Sequence, residues 1–329
     1  MSFFIKDIEI KKNVILAPMA GITSFSYRKF MNEFHPGLTY TEMISDFALI
    51  YHNKKTFDML YTDGSDRPLA VQLFGGSKET ILKSMDVLKE LNINYDILDL
   101  NLACPVPKVT KNNSGSKWLT RKEELFDMVQ AVVRKSEKPV SAKIRLGYDD
   151  VNVDEIAPLL EKAGISFLAI HARTKKELYL GKPHFDLLKN IRDEIKIPFC
   201  VSGNIYTVED ALNALKITRA NAVMVARGGI GNPLLIENIN RALEGKNDFI
   251  ETDFNRQAEY LYRFIDLLIK EKGEKAAFSI LKGIAPKFFL NLDLPNVKNL
   301  RSSLSRDIDS LSKTKEIIEN YKIENLLKL

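Results

Sequence analysis

The residues able to do chemistry in this sequence recur just after short apolar runs. Cys104 stands in Asn101-Leu-Ala-Cys104-Pro105, directly beyond the run Tyr95–Leu100. A thiol with an ordinary pKa of about 8.5 stays protonated near neutrality, which suits it to general-acid work. The other cysteine, Cys200, lies between Phe199 and Val201 inside an apolar run, where a small buried hydrophobe is expected. Further polar residues follow other runs: Glu42-Met43, Gln72, Lys143 with Arg145, and His171 with Arg173. Ser202-Gly203-Asn204 and Ala226-Arg227-Gly228-Gly229 are small and glycine-rich, and Gly231-Asn232-Pro233 opens a short helical pattern. Backbone N–H groups and a helix N-terminus in such a setting hold anions, so a phosphate-bearing ligand is expected there.

These residues share one kind of position because of the elements that carry them. The apolar runs Val14–Met19, Leu38–Met43, Leu69–Phe74, Tyr95–Leu100, Val140–Leu146, Phe167–His171, Pro198–Ser202 and Ala222–Ala226 read as eight strands. Helical periodicity fills most gaps, as in Lys78–Leu91, Lys122–Lys135, Val153–Ala163 and Val208–Leu215. Eight such βα units predict an α/β fold, a (β/α)8 TIM barrel, whose functional residues gather at the C-terminal ends of the strands. An open doubly wound sheet alternates similarly. Its glycine-rich dinucleotide turn should follow the first strand, but here that strand ends in Ala17-Pro18-Met19-Ala20-Gly21.

Beyond Leu243 the pattern becomes helical: Phe254–Lys272, then Lys275–Leu290 interrupted by Gly283 and Pro286, then Leu304–Leu329. Two domains are therefore expected, a catalytic barrel over 1–243 and a smaller all-helical C-terminal domain over 244–329. The chain has 329 residues, 45% hydrophobic and 28% charged, ordinary values for a folded globular protein. Two cysteines, no signal-like N-terminus and no apolar run of membrane-spanning length point to a soluble cytoplasmic protein. A net charge of +5 permits a polyanionic partner without requiring one.

Asn101-Leu-Ala-Cys104-Pro105, preceded by Leu98-Asp99-Leu100, resembles the catalytic signature of the tRNA-dihydrouridine synthases. The resemblance continues in order through Leu16–Gly21, Thr41-Glu42-Met43, Val71–Gly75, Lys143-Ile-Arg145, His171-Ala-Arg173-Thr174 and Ala226-Arg227-Gly228. It covers the barrel and extends more faintly into the helical tail. It implies an enzyme that uses bound FMN and NADPH to reduce uridine to 5,6-dihydrouridine in the D-loop of tRNA. Pro18, Met19 and Ala20 would back the flavin ring, Gln72 would hydrogen-bond its pyrimidine edge, and Lys143 would sit near N1. His171 would contact flavin or uracil. Ser202, Gly203, Asn204, Ala226 and Arg227 would bind the ribityl phosphate.

By the same resemblance, hydride passes from flavin N5 to C6 of uracil and Cys104 protonates C5. Asn101, Arg145 and Arg173 are implied substrate contacts, and the segment Lys108–Trp118 reads as a mobile loop that closes on substrate. Lys175 and Lys176 near the mouth, and Lys282, Lys287, Lys298, Arg301 and Arg306 on the tail, are candidate phosphate contacts. A monomer without metal or membrane attachment is expected. The chain departs from the family at Ser202-Gly203-Asn204, where Asn-Gly-Asp or Asn-Gly-Glu is usual, and at Ala226-Arg227, where Gly-Arg is usual. It also has Lys282-Gly283 and Phe288-Phe289 where Lys-His and Trp-Tyr are common. The alternatives are an FMN dehydrogenase of the dihydroorotate or dihydropyrimidine type, a synthase acting on rRNA, and a barrel that binds RNA without turnover. The chain lacks the cysteine clusters of iron–sulfur dehydrogenases.

Overall fold

The computed structural model describes residues 2–325. An antiparallel hairpin of β1 (Phe3–Ile5) and β2 (Ile8–Ile10) precedes eight parallel strands: β3 (Val14–Leu16), β4 (Thr39–Ser45), β5 (Leu69–Phe74), β6 (Ile97–Leu102), β7 (Val140–Arg145), β8 (Phe167–His171), β9 (Phe199–Ser202) and β10 (Ala222–Val225). Their order is β3-β10-β9-β8-β7-β6-β5-β4. The parallel bridge Ile15–Leu38 and the hydrogen bond from Leu16 N to Leu38 O, 3.0 Å, join the two edges into a closed barrel. The expected TIM barrel is present.

The side-chain period of two decides what each strand residue meets. Outward residues such as Val71, Leu73, Leu98, Leu100, Ile144 and Ile170 pack under the helices in one core. Inward residues begin, at the N-terminal end, with Ile15, Leu38, Ala70, Ile97, Phe167 and Ala222, a second apolar core closed by the hairpin. The hairpin residues Phe3, Ile5 and Ile10 are buried in it, and the Phe3 ring stacks on Phe167 at 6.0 Å. The sequence pattern gave no hint of this plug. In β4 the register shifts between Tyr40 and Met43, a bulge that turns Met43 inward.

After the helix Leu234–Leu243 the chain is helical, as expected. The run Lys275–Leu290 is not one helix. It is Glu274–Ile284 followed by a 3-10 segment Ala285–Phe289, because Pro286 cannot continue an α-helical ladder. The last pattern divides into Val297–Arg306 and Leu311–Asn325, and the final four residues of the expected helix lie outside the described residues. The long helix Phe254–Lys272 begins at Asp253, whose carboxylate accepts from Arg256 N at 2.9 Å. It packs on the barrel helix Phe25–Asn32 through Phe30, Phe34, Tyr260, Phe264 and Phe288, with centroid separations of 5.1–6.3 Å. No helix among the described residues is long and apolar enough to cross a membrane.

Candidate active site

A cavity of about 430 Å³ opens at the C-terminal ends of the strands. Pro18, Met19 and Ala20, after β3, form one wall with Met43 from the bulged β4. Ser202, Gly203 and Asn204 after β9, with Ala226, Arg227 and Gly228 after β10, form the adjoining wall. Gly203 has φ +140, and a Cβ there would meet Pro183 at 2.8 Å. A Cβ on Gly228 would strike the Ile205 carbonyl. Small residues are thus required where the backbone of this wall turns. Asn101, Cys104, Lys143, Arg145 and His171 line the remainder.

The electrostatics of these groups differ. Lys143 is buried, its amine makes no hydrogen bond or ion pair with the described residues, and its pKa is lowered to about 8 by burial and by the Arg145 guanidinium. His171 is held well below its ordinary range by burial and then by Lys143, Arg145, Arg173 and Arg227, so its ring is neutral at pH 7. Its nitrogens lie 3.4 Å from Ser202 Oγ and 3.3 Å from the Arg173 guanidinium. Burial pushes the Cys104 thiol up, more than the Val106 amide, Arg145 and Lys143 pull it down. It therefore remains a thiol at neutral pH, as a proton donor must. Cys200 is fully buried, and desolvation raises its pKa further.

Two expected contacts do not reach the cavity. Gln72 is completely buried beneath the floor, donating from Nε2 to Asp99 at 2.7 Å and accepting from Asn101 Nδ2 at 2.7 Å. Arg173 is also fully buried and donates to the carbonyls of Leu180, 2.9 Å, and Gly181, 2.5 Å. Arg145 lines the cavity, yet its Nε donates to the Ala103 carbonyl at 2.9 Å and its Nη1 to those of Thr174 and Leu178 at 2.8 and 2.7 Å. Both arginines brace the segment 174–181. Their local carbonyls satisfy guanidinium groups that strand position alone would aim at a ligand.

That segment carries a residue the sequence pattern did not single out. Tyr179 lines the cavity, with the guanidinium carbons of Arg145 and Arg227 each 5.2 Å from its ring centre and the His171 ring edge-on at 6.2 Å. The Tyr206 ring centre lies 5.9 Å from the same Arg227 guanidinium carbon. The only sequence signal was the apolar triplet Leu178-Tyr179-Leu180 in a loop that begins with four polar residues. The segment Lys108–Trp118 also differs from expectation, since it is not an open loop. It forms the helical turn Pro107–Thr110 and enters the 3-10 segment Gly115–Thr120, with Ser116 donating to Cys104 O at 2.9 Å and Trp118 Nε1 to Gly75 O at 2.8 Å.

Residues 15–324 match the family model described as dihydrouridine synthase (Dus). The chain belongs to the dihydrouridine synthase family. This dihydrouridine synthase is accordingly an oxidoreductase. It is 31% identical over 294 residues to tRNA-dihydrouridine synthase B of Pasteurella multocida, covering 86% of this chain and 87% of that one. It is 31% identical over 310 residues to the probable tRNA-dihydrouridine synthase of Aquifex aeolicus, covering 90% and 95%. The corresponding Rickettsia bellii protein is 29% identical over 319 residues, covering 96% and 97%. Among solved structures, an old yellow enzyme homologue from Zymomonas mobilis superposes with a TM-score of 0.50 at 13% identity, covering 78% of this chain and 95% of that one, which is agreement in fold.

Proposed function

We propose that this dihydrouridine synthase reduces uridine in tRNA to 5,6-dihydrouridine, using FMN reduced by NADPH, with Cys104 as the proton donor. The observation that carries the reading is the juxtaposition of a protonated thiol and an unpartnered ammonium, Cys104 and Lys143, in one strand-end cavity. The cavity fits a flat, anionic cofactor. Pro18, Met19 and Met43 offer an apolar wall, Lys143 offers a cation that makes no direct ion pair among the described residues, and the small residues around Gly203 and Gly228 allow close approach of backbone to a phosphate. Bound and reduced, FMN supplies the hydride that uracil C6 accepts.

The protein's own part is to hold the base and deliver the proton. Asn101 accepts the Ala103 and Cys104 amides at 3.1 and 2.9 Å and so fixes the turn that presents the thiol. The thiol gives its proton to C5, completing the two hydrogens added across the C5=C6 bond, and regains one from solvent. Neutral His171 and the Tyr179 ring border the space left for the base. A uridine must leave its stack to enter such a cavity, which favours an RNA loop as substrate. Residues 1–243 form the catalytic barrel in this reading and the helices after 243 face the RNA, where Lys282, Lys287, Lys298 and Arg306 are exposed and Arg301 is partly so.

The test is mass spectrometry of tRNA incubated with the FMN-loaded enzyme and NADPH. The expected result is uridine converted to a product heavier by two hydrogens, in wild type but not in Cys104→Ala. NADPH oxidation stimulated by orotate and not by tRNA would favour a free-pyrimidine dehydrogenase, and product formed only in rRNA would reassign the substrate.

A further inference from the structure

Beneath the cavity floor a hydrogen-bond chain runs across three strands to the proton donor. Parallel register sets Gln72, Asp99 and Ser141 side by side at one level of β5, β6 and β7, all inward-facing, with Asn101 one layer nearer the mouth. Asp99 is completely buried and does not line the cavity. Its Oδ1 accepts from Ser141 Oγ at 2.5 Å and its Oδ2 from Gln72 Nε2 at 2.7 Å. Gln72 Oε1 accepts from Asn101 Nδ2 at 2.7 Å, and Asn101 Oδ1 accepts from the amides of Ala103 and Cys104.

We propose that Asp99 is a positioning residue that fixes the polarity of this chain and thereby the placement of Cys104. The two ends have fixed character. A carboxylate can only accept, and a backbone N–H can only donate. The two amide side chains between them then have a single arrangement that satisfies every member. Gln72 must turn its NH2 toward Asp99, which leaves its oxygen for Asn101. Asn101 in turn must direct its oxygen at Cys104. Replacing Asp99 by an apolar residue leaves the buried Gln72 Nε2 without an acceptor, and turning the amide over would set it against Asn101 donor to donor, so either arrangement leaves a buried donor unpaired and the chain loosens. Burial alone would neutralise the carboxyl and blur this direction. Burial does raise its pKa to about 6, and the Ser141 and Gln72 hydrogen bonds with the Lys143 charge oppose the rise, so it is ionised at pH 7. Networks of this kind, once fully satisfied, specify one side-chain arrangement.

The inference rests on Cys104 as proton donor, but its main readout does not. The rate of iodoacetamide modification at Cys104, resolved from Cys200 by peptide mass spectrometry, reports the thiol's placement in the FMN-loaded enzyme whatever its chemical role. In Asp99→Leu we expect Cys104 to alkylate about tenfold faster and kcat on tRNA to fall about tenfold or more, with KM within about twofold, as misplacement of a reacting group costs turnover rather than uniform binding. Asp99→Asn keeps the chain's direction, because its oxygen accepts from Gln72 and its NH2 donates to Ser141, so both readouts should return to within about threefold of wild type. Unchanged alkylation in Asp99→Leu, or damage in Asp99→Asn equal to that in Asp99→Leu, would overturn the proposal. If Asp99→Leu does not fold, Gln72→Leu interrupts the same chain and carries the same expectation. Retained activity in Cys104→Ala would instead refute the proton-donor reading and leave the alkylation result standing.

Discussion

At the N-terminal end of the barrel the inward positions hold Ile15, Leu38, Ala70, Ile97, Phe167 and Ala222, and the hairpin residues Phe3, Ile5 and Ile10 close over them. Nearer the mouth of the same barrel, the inward positions of β5, β6, β7 and β9 hold Gln72, Asp99, Asn101, Ser141, Lys143 and Ser202, all at most 9% exposed. The backbone geometry is continuous between the two regions, so the difference lies in what desolvation demands. Apolar floor residues need only close packing. Polar residues at equal burial need partners, and Gln72, Asp99, Asn101 and Ser141 provide them for one another. Lys143 makes no hydrogen bond or ion pair among the described residues, and a buried cation of this kind facing a cavity marks a candidate place for a ligand.

The sharpest way to separate the two ends is to remove one group from each. Cys104→Ala is expected to lower dihydrouridine formation by about 10² to 10⁴, the usual contribution of a positioned acid, while flavin retention and thermal midpoint stay at wild-type values. Loss of flavin or of stability in that variant would make Cys104 a packing residue like those of the floor. Phe167→Ala removes the ring under Phe3 and should cost about 3 to 5 kcal/mol of stability by urea denaturation, with kcat per folded molecule unchanged. A loss of kcat without loss of stability would show that the floor is not merely structural.

Lys143 tests whether the rim's missing partner has an energetic cost in the free protein. Its folded pKa, about 8, lies below its ordinary 10.5, so between those values the unfolded chain carries a proton that the folded chain lacks. Stability contributed at this site therefore rises as pH rises through that window and is lowest below pH 8. The two-and-a-half-unit gap corresponds to at most about 3 kcal/mol. Lys143→Met, compared with wild type without flavin, should be more stable at pH 7 and should lose that advantage by about pH 10.5. A variant less stable than wild type at pH 7 would mean that the ammonium already has a partner.

What could be read from the sequence follows the same division. Strand alternation and strand ends placed Cys104, Lys143, His171 and Ser202 correctly around one cavity, because period and topology decide those positions. They could not decide the direction of Gln72 or Arg173. Both sit at expected places, Gln72 within β5 and Arg173 just past β8, but the groups that claim them, Asp99 on β6 and the Leu180 and Gly181 carbonyls of the following loop, are not set by strand alternation. Tyr179 escaped notice because a loop of eight residues places it, and no periodicity governs loops. The hairpin escaped because two three-residue strands carry too few alternations to stand out. Pro286, by contrast, announced the break it causes in the tail.

The smallest expected effect concerns the link between barrel and tail, where a polar contact outside the rim bears on the rim. The helix Phe25–Asn32 has an N-cap, Ser24, whose side chain makes no capping bond. Glu271, at the end of the tail helix Phe254–Lys272, supplies the acceptor: one carboxylate oxygen takes the Ser26 amide at 2.7 Å and also the Ser26 hydroxyl. A carboxylate at a helix N-terminus is favoured by both the free N–H groups and the dipole. Burial alone would raise the Glu271 pKa, but the hydrogen bonds from Lys272 and Ser26 lower it below the ordinary value of 4.5. The stabilisation is thus present above that value and is lost as pH falls through the folded pKa. Glu271→Gln should cost about 1 kcal/mol at pH 7 and less near pH 3, since the wild-type carboxylate is then increasingly protonated. The same helix follows directly on the Pro18–Gly21 turn of the cavity wall. If the tail merely docks, kcat on tRNA will not change. A rise in KM for tRNA at unchanged kcat would instead show that this cap sets how the helices after 243 face the substrate, making the tail part of the rim's function rather than an added support.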